Sequence, residues 1–255
     1  MPKALILTGY GINCDYETEF AFNTAGASTK RVHLNDIIDR KILMEDFNIL
    51  AIPGGFSFGD DIASGKVLGN KMRYNLKNEI ESFIDNGKLI IGICNGFQVL
   101  VKMGILPFVD FSQSTTLTFN DSGRFEDRWV HLKINEKSKC IFTRGIKNIY
   151  LPVRHGEGKF ISDKDMINFL NEQNLVAARY VDENGNAATY PWNPNGSMDN
   201  IAAISDPSGK IFGLMPHPEG FLHKTNHPRW TRTKITDGEG LQIFRNAVEF
   251  IRNEF

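Results

Sequence analysis

Residues 88–103 have the sequence KLIIGICNGFQVLVKM, in which a short apolar run passes directly into a segment with helical spacing. The run over residues 88–93 is almost continuously apolar, as expected for a strand that is buried on both faces of a parallel sheet. After Cys94, the apolar residues of 95–103 recur at helical intervals. Cys94 is therefore predicted to lie at a strand-to-helix junction.

The same alternation of strand and helix extends toward the N-terminus. Strands are predicted over residues 3–8, 29–34 and 49–53, and helices over residues 16–25, 37–44 and from Gly65 to about Gly87. Short Gly-rich turns join these segments, a pattern that is typical of βαβ units and an open parallel sheet.

The second half of the chain has a different character, with short apolar segments joined by polar turns. These predicted strands cover residues 117–120, 129–134, 159–162, 175–181, 201–205 and 210–214. Some of them should form an antiparallel extension of the sheet, and an amphipathic helix is predicted over residues 241–255. We therefore predict one α/β domain over residues 1–255, with a Rossmann/flavodoxin-like, open and mostly parallel sheet.

Composition excludes several classes of protein. The chain has 29 Lys and Arg against 30 Asp and Glu, so it lacks the basic excess of a nucleic-acid-binding surface. Its three cysteines include no C-x-x-C pair, which fits neither a disulfide framework nor a zinc site. No apolar stretch approaches the ~20 residues that span a bilayer. We expect a cytoplasmic protein with free thiols and with no membrane or nucleic-acid partner.

Gly92 and Gly96 flank Cys94 in a cysteine version of the G-x-S-x-G nucleophile elbow. Such a turn is tight and strained, so neighbours without side chains are needed where backbones approach. The amide groups at the start of the following helix favour a thiolate, and that of Asn95 could hold an oxyanion. The alternative is a buried core cysteine, but packing alone does not explain the two glycines. Cys14 and Cys140 have no such frame, and we expect them to be inert.

A thiol nucleophile usually requires a histidine that is oriented by a third group. His217 follows the predicted strand 210–214 and lies between two prolines, which stiffen the backbone. Glu219 is two residues further on and could orient the imidazole. The alternative is a Pro-rich surface loop with an incidental histidine. The order Cys, His, Glu also differs from the nucleophile, acid, His order of α/β-hydrolases.

A metal site is a second alternative for this region. His217, Glu219, His223 and His227 lie within eleven residues, and the last two have the spacing of a helical metal-binding pair. Prolines at 218 and 228 disfavour a helix there, and H-E-x-x-H is absent from the sequence. We therefore predict no metal at this position.

These motifs resemble those of class I (triad) glutamine amidotransferases, through CNGFQ at 94–98 and HPE at 217–219. PGGFSFGDD at 53–61 is similar to the branch formed by the glutaminase component of phosphoribosylformylglycinamidine synthase, an enzyme of purine biosynthesis. Four further segments follow in the order of that branch: NDSGRFEDRW at 120–129, RHGEG at 154–158, NPNGS at 193–197 and GLMPHPE at 213–219. The resemblance covers nearly the whole chain and implies the class I glutamine amidotransferase fold.

The resemblance also implies roles for individual residues. Cys94 would form a γ-glutamyl thioester from glutamine, His217 would transfer protons, and Glu219 would orient His217. Backbone amides of Gly55 and Asn95 would form the oxyanion hole. Phe56 and Gln98 would contact the bound glutamine.

The implied reaction involves a second protein. Ammonia would pass to an ATP-dependent synthetase subunit that aminates formylglycinamide ribonucleotide, and the resemblance leaves open a third small subunit. The sequence has no G-x-x-x-x-G-K-[ST] phosphate-binding loop. ATP and magnesium would therefore be bound by the synthetase, and no cofactor is expected in this chain.

Several alternatives stay open at this point. The same triad could serve another acceptor, or the fold could serve as a non-catalytic scaffold. His155 and Glu157 could form a second acid–base pair, although a loop that contacts the pocket or the partner fits them better. Asp60 and Asp61 are expected to face solvent or the partner. The segment 222–238 is longer than in the smallest members of the family and could be an interface element or a lid.

Overall fold

The computed structural model describes residues 1–232, 234 and 236–254. Thr233 and Ile235, which belong to the segment 222–238, and Phe255, the end of the last predicted helix, lie outside the described residues. Eleven strands and six α-helices lie within this part of the chain.

Nine strands form one sheet, and two more form a separate antiparallel pair. The strands are β1 (Lys3–Thr8), β2 (Ser28–His33), β3 (Ile49–Ile52), β4 (Leu89–Ile93), β5 (Thr116–Thr118), β6 (Glu126–Ile134), β7 (Asn148–His155), β8 (Lys159–Ile161), β9 (Val176–Val181), β10 (Ile201–Ser205) and β11 (Ile211–Leu214). The order in the large sheet is β2-β1-β3-β4-β11-β10-β9-β6-β7, and β5 pairs with β8.

The large sheet is parallel in one half and antiparallel in the other. Pairs from β2 across to β11 are parallel, and every pair from β11 to β7 is antiparallel. All residues of β3, β4, β10 and β11 are buried, as expected for central strands. The predicted α/β fold with an antiparallel extension is therefore confirmed.

The helices are α1 (Asp15–Thr24), α2 (Leu34–Ile38), α3 (Lys66–Asp85), α4 (Asn95–Met103), α5 (Lys164–Glu172) and α6 (Leu241–Glu254). Helix α3 packs against α4, and α1 packs against α6. The first of these pairs includes the helix that begins directly after Cys94, so the packing of α3 fixes the position of the turn that carries the thiol.

Three elements differ from the sequence-based prediction. The helix predicted over 37–44 is wrong in position, because His33 accepts a hydrogen bond from the Asn35 amide and starts α2 earlier. Strand β7 was not predicted; it contains Pro152, which argues against a central strand but is compatible with the sheet edge where β7 lies. Helix α5 was also missed, although Asp163 caps it by accepting a hydrogen bond from the Met166 amide.

Candidate active site

The turn between β4 and α4 holds Cys94 in a backbone conformation that is unusual for a residue with a side chain. Its φ is +50° and its ψ is −105°. A methyl group at Gly96 would overlap the carbonyl oxygen of Ile52, and one at Gly92 would press on the carbonyl of Gly96. Both glycines are therefore needed for α4 to pack closely against β3 and β4, which forces the sharp turn at Cys94.

The Cys94 side chain points into the protein and is 4% exposed. Its thiol donates a hydrogen bond to the carbonyl oxygen of Arg154 over 3.7 Å. Arg154 lies in the edge strand β7, so the thiol is held between the parallel and the antiparallel halves of the fold.

His217 and Glu219 follow β11 in the turn that leaves the same edge of the sheet. The imidazole Nδ1 of His217 is 2.5 Å from Glu219 Oε1, and both residues are buried. The His217 amide donates to the carbonyl of Pro152 over 2.8 Å. Burial lowers the pKa of His217, but the Glu219 carboxylate and the Cys94 thiol together raise that pKa well above its ordinary value. The pair therefore favours an imidazolium.

The register between β4 and β11 brings these two turns together. Ile93 pairs with Leu214, and the Cys94 amide donates to the Leu214 carbonyl over 2.8 Å. Gly54 lies where the side chains converge: a methyl group there would be 2.8 Å from His217 Cε1 and 3.5 Å from Cys94 Cβ. The three residues predicted to be catalytic are thus gathered at one point of the sheet edge.

The two candidate oxyanion-hole residues lie beside the thiol. Asn95 is the first residue of α4, so its amide has no acceptor one turn earlier in the helix. Gly55 follows β3 with a φ of +150° and is bridged to Ile12. The Gly54 carbonyl accepts hydrogen bonds from the amides of Asn13 and Cys14, which fixes the Gly-Gly turn against the loop after β1.

Both polar groups of the Gln98 side chain make hydrogen bonds within the protein. Its Nε2 donates to the Glu157 carbonyl over 2.5 Å, and its Oε1 accepts from Asn95 Nδ2 over 2.9 Å. Asn95 Nδ2 also donates to Asp60 Oδ1 over 3.2 Å. Burial raises the pKa of Asp60, and Glu157 adds to the rise. Gln98 therefore connects the start of α4 to the loop after β7, and Asp60 lies against the site rather than in solvent.

Phe56 lies at the rim of the site and is 45% exposed. Its ring packs on Phe125, with ring centroids 6.2 Å apart. Ile62 is 90% exposed in the loop between β3 and α3. The rim is thus apolar and open to contact with another molecule.

The motifs at 120–129, 154–158 and 193–197 meet in a buried polar network next to the triad. His155 Nδ1 is 3.1 Å from Asn120 Oδ1, and its Nε2 is 3.4 Å from Asn195 Nδ2. The Ser197 hydroxyl donates to Asn195 Oδ1 over 2.7 Å. Burial, with a smaller contribution from His217, lowers the pKa of His155 to about 3. A neutral His155 held on both sides has a structural role, which disfavours the acid–base pair with Glu157.

Sequence reasoning missed one residue of the site. Cys14, expected to be inert, has its sulfur within 4.8 Å of a His217 nitrogen and a Glu219 oxygen. Nothing in its local sequence distinguishes it. The position of Cys14 follows from the order of the strands. Because β1 lies beside β3, the loop after β1 reaches the same edge of the sheet as the loops after β3 and β4.

The four residues considered from the sequence as a metal site, at positions 217, 219, 223 and 227, do not converge on one point. The His223 ring packs on Phe20, and the His227 ring packs between Trp129 and Phe221. His227 thus packs against aromatic residues of β6 and β7 in the antiparallel half and of the turn after β11. Within the described part of the chain, no helix is long and apolar enough to cross a membrane.

A cavity of about 1180 Å³ lies away from the triad. It is lined mainly by residues of 121–124 and 187–196. Cys94 does not line this cavity and is itself buried, so the site is marked by the convergence of side chains and not by an open cavity.

Comparison with known proteins gives a consistent result. The family described as the CobB/CobQ-like glutamine amidotransferase domain matches residues 1–251. Phosphoribosylformylglycinamidine synthase subunit PurQ of Dehalococcoides mccartyi is 49% identical over 253 residues, covering 98% of each chain. The same subunit of Methanococcus maripaludis is 46% identical over 266 residues, covering 98% of this chain and 97% of that one.

Two further matches differ in length or in kind. Phosphoribosylformylglycinamidine synthase of Schizosaccharomyces pombe is 34% identical over 266 residues, covering 98% of this chain and 20% of that protein. The structure of PurLQS from Thermotoga maritima matches with a TM-score of 0.75 at 29% identity, covering 98% of this chain and 99% of that chain. The chain therefore belongs to the CobB/CobQ-like glutamine amidotransferase family and, within it, to the PurQ subunits of phosphoribosylformylglycinamidine synthase.

Proposed function

We propose that residues 1–255 act as one glutamine amidotransferase domain, the glutaminase subunit of phosphoribosylformylglycinamidine synthase. The observation that carries this proposal is the buried His217–Glu219 pair, with its raised pKa on the imidazole, beside Cys94 on its strained turn. An imidazolium held next to a thiol is the arrangement that a thiolate nucleophile requires.

In the proposed reaction, the Cys94 thiolate attacks the side-chain amide carbon of L-glutamine. The oxyanion of the tetrahedral intermediate accepts hydrogen bonds from the amides of Gly55 and Asn95. His217 gives its proton to the leaving nitrogen, which departs as ammonia and leaves a γ-glutamyl thioester on Cys94. His217 then takes a proton from water as the water oxygen attacks the thioester carbonyl, the C–S bond breaks and glutamate leaves, and the Cys94 thiolate and the His217 imidazolium are restored.

Other residues act by positioning. Glu219 accepts a hydrogen bond from His217 Nδ1 and so directs Nε2 toward the reacting atoms. Gln98 holds the Glu157 carbonyl and the Asn95 side chain, which supports the idea that it shapes the glutamine pocket. Phe56 at the rim would cover bound substrate from the solvent side.

The proposal includes partners. The ammonia would be used by an ATP-dependent synthetase subunit that converts formylglycinamide ribonucleotide to formylglycinamidine ribonucleotide, with ATP and magnesium bound by that partner. The Thermotoga maritima structure is named for an assembly, PurLQS, which supports a synthetase and a third small subunit. The Schizosaccharomyces pombe relative supports the same division, because this chain matches only 20% of the undivided enzyme. A cytoplasmic location is supported by three free thiols.

The test is a glutaminase assay on the chain with and without its synthetase partner, in the wild type and in Cys94→Ala. The variant should release no glutamate, while the complex that contains it should still use added ammonium as nitrogen source. Full glutamate release by a folded Cys94→Ala protein would contradict the assignment. Omitting formylglycinamide ribonucleotide, or replacing it with another acceptor, tests the identity of the acceptor.

A further inference from the structure

A second thiol lies beside the candidate catalytic pair. The sulfur of Cys14, a nitrogen of His217 and an oxygen of Glu219 all lie within 4.8 Å of one another. Two atoms of this group are buried and have no hydrogen-bond partner among the described residues, namely His217 Nε2 and Glu219 Oε2. Unpartnered polar atoms at this depth are uncommon in proteins, and here they lie in a cluster of metal-binding side chains.

Cys94 lies beside this group, although its sulfur is not one of the three atoms that lie within 4.8 Å of one another. A methyl group at Gly54 would lie 3.4 Å from the Cys14 sulfur, 3.5 Å from Cys94 Cβ and 2.8 Å from His217 Cε1. Two thiols and one imidazole therefore surround Gly54, which has no side chain to separate them. The loop after β1 supplies one thiol and the turn after β4 supplies the other.

We propose that Cys14, Cys94 and His217 form an inhibitory binding site for a thiophilic divalent cation such as Zn²⁺. The inhibitory part of this inference rests on the proposed function, because the ion would occupy the nucleophile. Thiolate sulfur and imidazole nitrogen are the donors that Zn²⁺ prefers, whereas Mg²⁺ prefers oxygen and would be rejected. Glu219 holds Nδ1, which leaves Nε2 for the ion in the common carboxylate–histidine–zinc arrangement.

The geometry requires only a small closure. Tetrahedral zinc with bonds of about 2.0–2.3 Å places neighbouring donors roughly 3.5 Å apart. The Cys14 and His217 donors lie within 4.8 Å. Cys14 is the N-cap residue of α1 and its side chain caps no helix amide, so its sulfur can turn toward the ion without uncapping the helix; only a long hydrogen bond from the thiol to Asn13 Oδ1, at 3.5 Å, would be lost.

A small ion could reach the group from the side of α1, at Glu219. A cavity of about 430 Å³ between α1 and the segment after β11 reaches Glu219, and Tyr16, Phe20 and Leu222 line it. Cys14 is only partly buried, in contrast to Cys94. The ion would therefore meet Cys14 first and then draw in the catalytic thiol and the imidazole.

Binding would remove both active groups at once. The thiolate of Cys94 would donate its electron pair to the metal, and Nε2 of His217 would no longer carry a proton to the leaving ammonia. Two protons would be released to solvent, one from the Cys14 thiol and one from the His217 imidazolium. Glutaminase activity would stop until the ion left or a chelator removed it.

The first test is the effect of buffered Zn²⁺ on glutaminase activity, measured on the full chain assembled with its synthetase partner. Three proteins are compared, each relative to its own rate without zinc: wild type, Cys14→Ala and Cys140→Ala. Wild type and Cys140→Ala should share one inhibition midpoint, since Cys140 is buried elsewhere. The midpoint of Cys14→Ala should be at least about tenfold higher, and excess Mg²⁺ should not inhibit. An unchanged midpoint in Cys14→Ala would overturn the inference.

The second test does not depend on activity. Co²⁺ bound to thiolates gives intense near-ultraviolet absorption, so the chain alone is titrated with Co²⁺. Thiolate absorption in the wild type and its loss in Cys14→Ala support the site. If that result is obtained but no glutaminase activity is found, the site stands and the proposed function fails. If glutaminase activity is present but the Co²⁺ spectrum lacks thiolate bands, the metal site is wrong and the proposed function is unaffected.

Discussion

Gly54→Ala should displace the imidazole of His217 while all three residues of the triad stay unchanged. The added methyl group would lie 2.8 Å from His217 Cε1, whereas its distances to Cys14 Sγ and Cys94 Cβ, 3.4 and 3.5 Å, are close to ordinary. Contacts between carbon atoms are optimal at about 3.5–4.0 Å, so the imidazole must move by about 1 Å. Gly54 does not have a positive φ, so alanine adds no backbone strain.

The displacement should mainly affect turnover. A misplacement of about 1 Å costs on the order of 100-fold in rate, because proton transfer depends on the position of the imidazole. His217 is held by its Glu219 contact and by its amide hydrogen bond to Pro152, so it cannot relax freely. We expect kcat for glutamate release to fall about 100-fold with a small change in KM, and stability to fall by about 1–3 kcal/mol from overpacking.

The assay is steady-state glutamate release by the complex, with urea unfolding of the same preparation. Gly9→Ala is the matched control, since its methyl group would meet only Ile12 Cδ1, at 3.6 Å. That control should behave as wild type. A Gly54→Ala protein with kcat within about twofold of wild type would refute the reasoning, because it would show that the position of the imidazole does not limit the reaction.

Three further predictions concern other parts of the structure. Glu219→Gln removes the charge that holds up the pKa of His217, so glutamate release should fall by about 10²–10⁴-fold and the pKa seen in its pH–rate profile should fall. His155 has a folded-state pKa of about 3, below its unfolded value, so the stability it contributes is complete above about pH 6.5 and is lost as pH falls toward 3. Between about pH 7 and pH 4.5, urea titration should show the wild type losing roughly 2–3 kcal/mol more than His155→Gln, and equal losses would contradict this. Asn246→Ala leaves the buried carbonyl of Phe142 and the partly exposed carbonyl of Arg144 without their side-chain donor, and the unfolding free energy should fall by about 1–3 kcal/mol with kcat unchanged.

The parts of the fold that follow from local patterns were predictable. Helix α4 was predicted with the bounds it has, because Gly92, Cys94 and Gly96 mark the turn and the following residues are periodic. Strand β7 was not predicted, because a proline such as Pro152 argues against a strand when only the sequence is known. Proline is accepted in an edge strand, and the sequence does not show that β7 lies at the edge of the sheet. Sheet order is a long-range property that spacing does not encode.

The same distinction applies to the candidate site. Cys94, His217 and Glu219 are marked by local motifs, and the structure brings them together. Cys14 lies in a loop without a motif, and its place beside His217 depends on β1 lying next to β3. The hydrogen bond from Gln98 to the Glu157 carbonyl likewise joins distant parts of the chain and could not be foreseen from either segment.

The pairing of β4 with β11 has a consequence for biosynthesis. Cys94 emerges from the ribosome long before His217, and Ile93 has no Leu214 to pair with until more than a hundred further residues have been made. Contacts between residues so distant in sequence form late, because the intervening chain must first be ordered. A nascent or truncated chain would therefore carry the thiol without its base. The reactive centre is assembled only after His217 and Glu219 have been synthesised, so a chain that stops before them cannot hydrolyse glutamine.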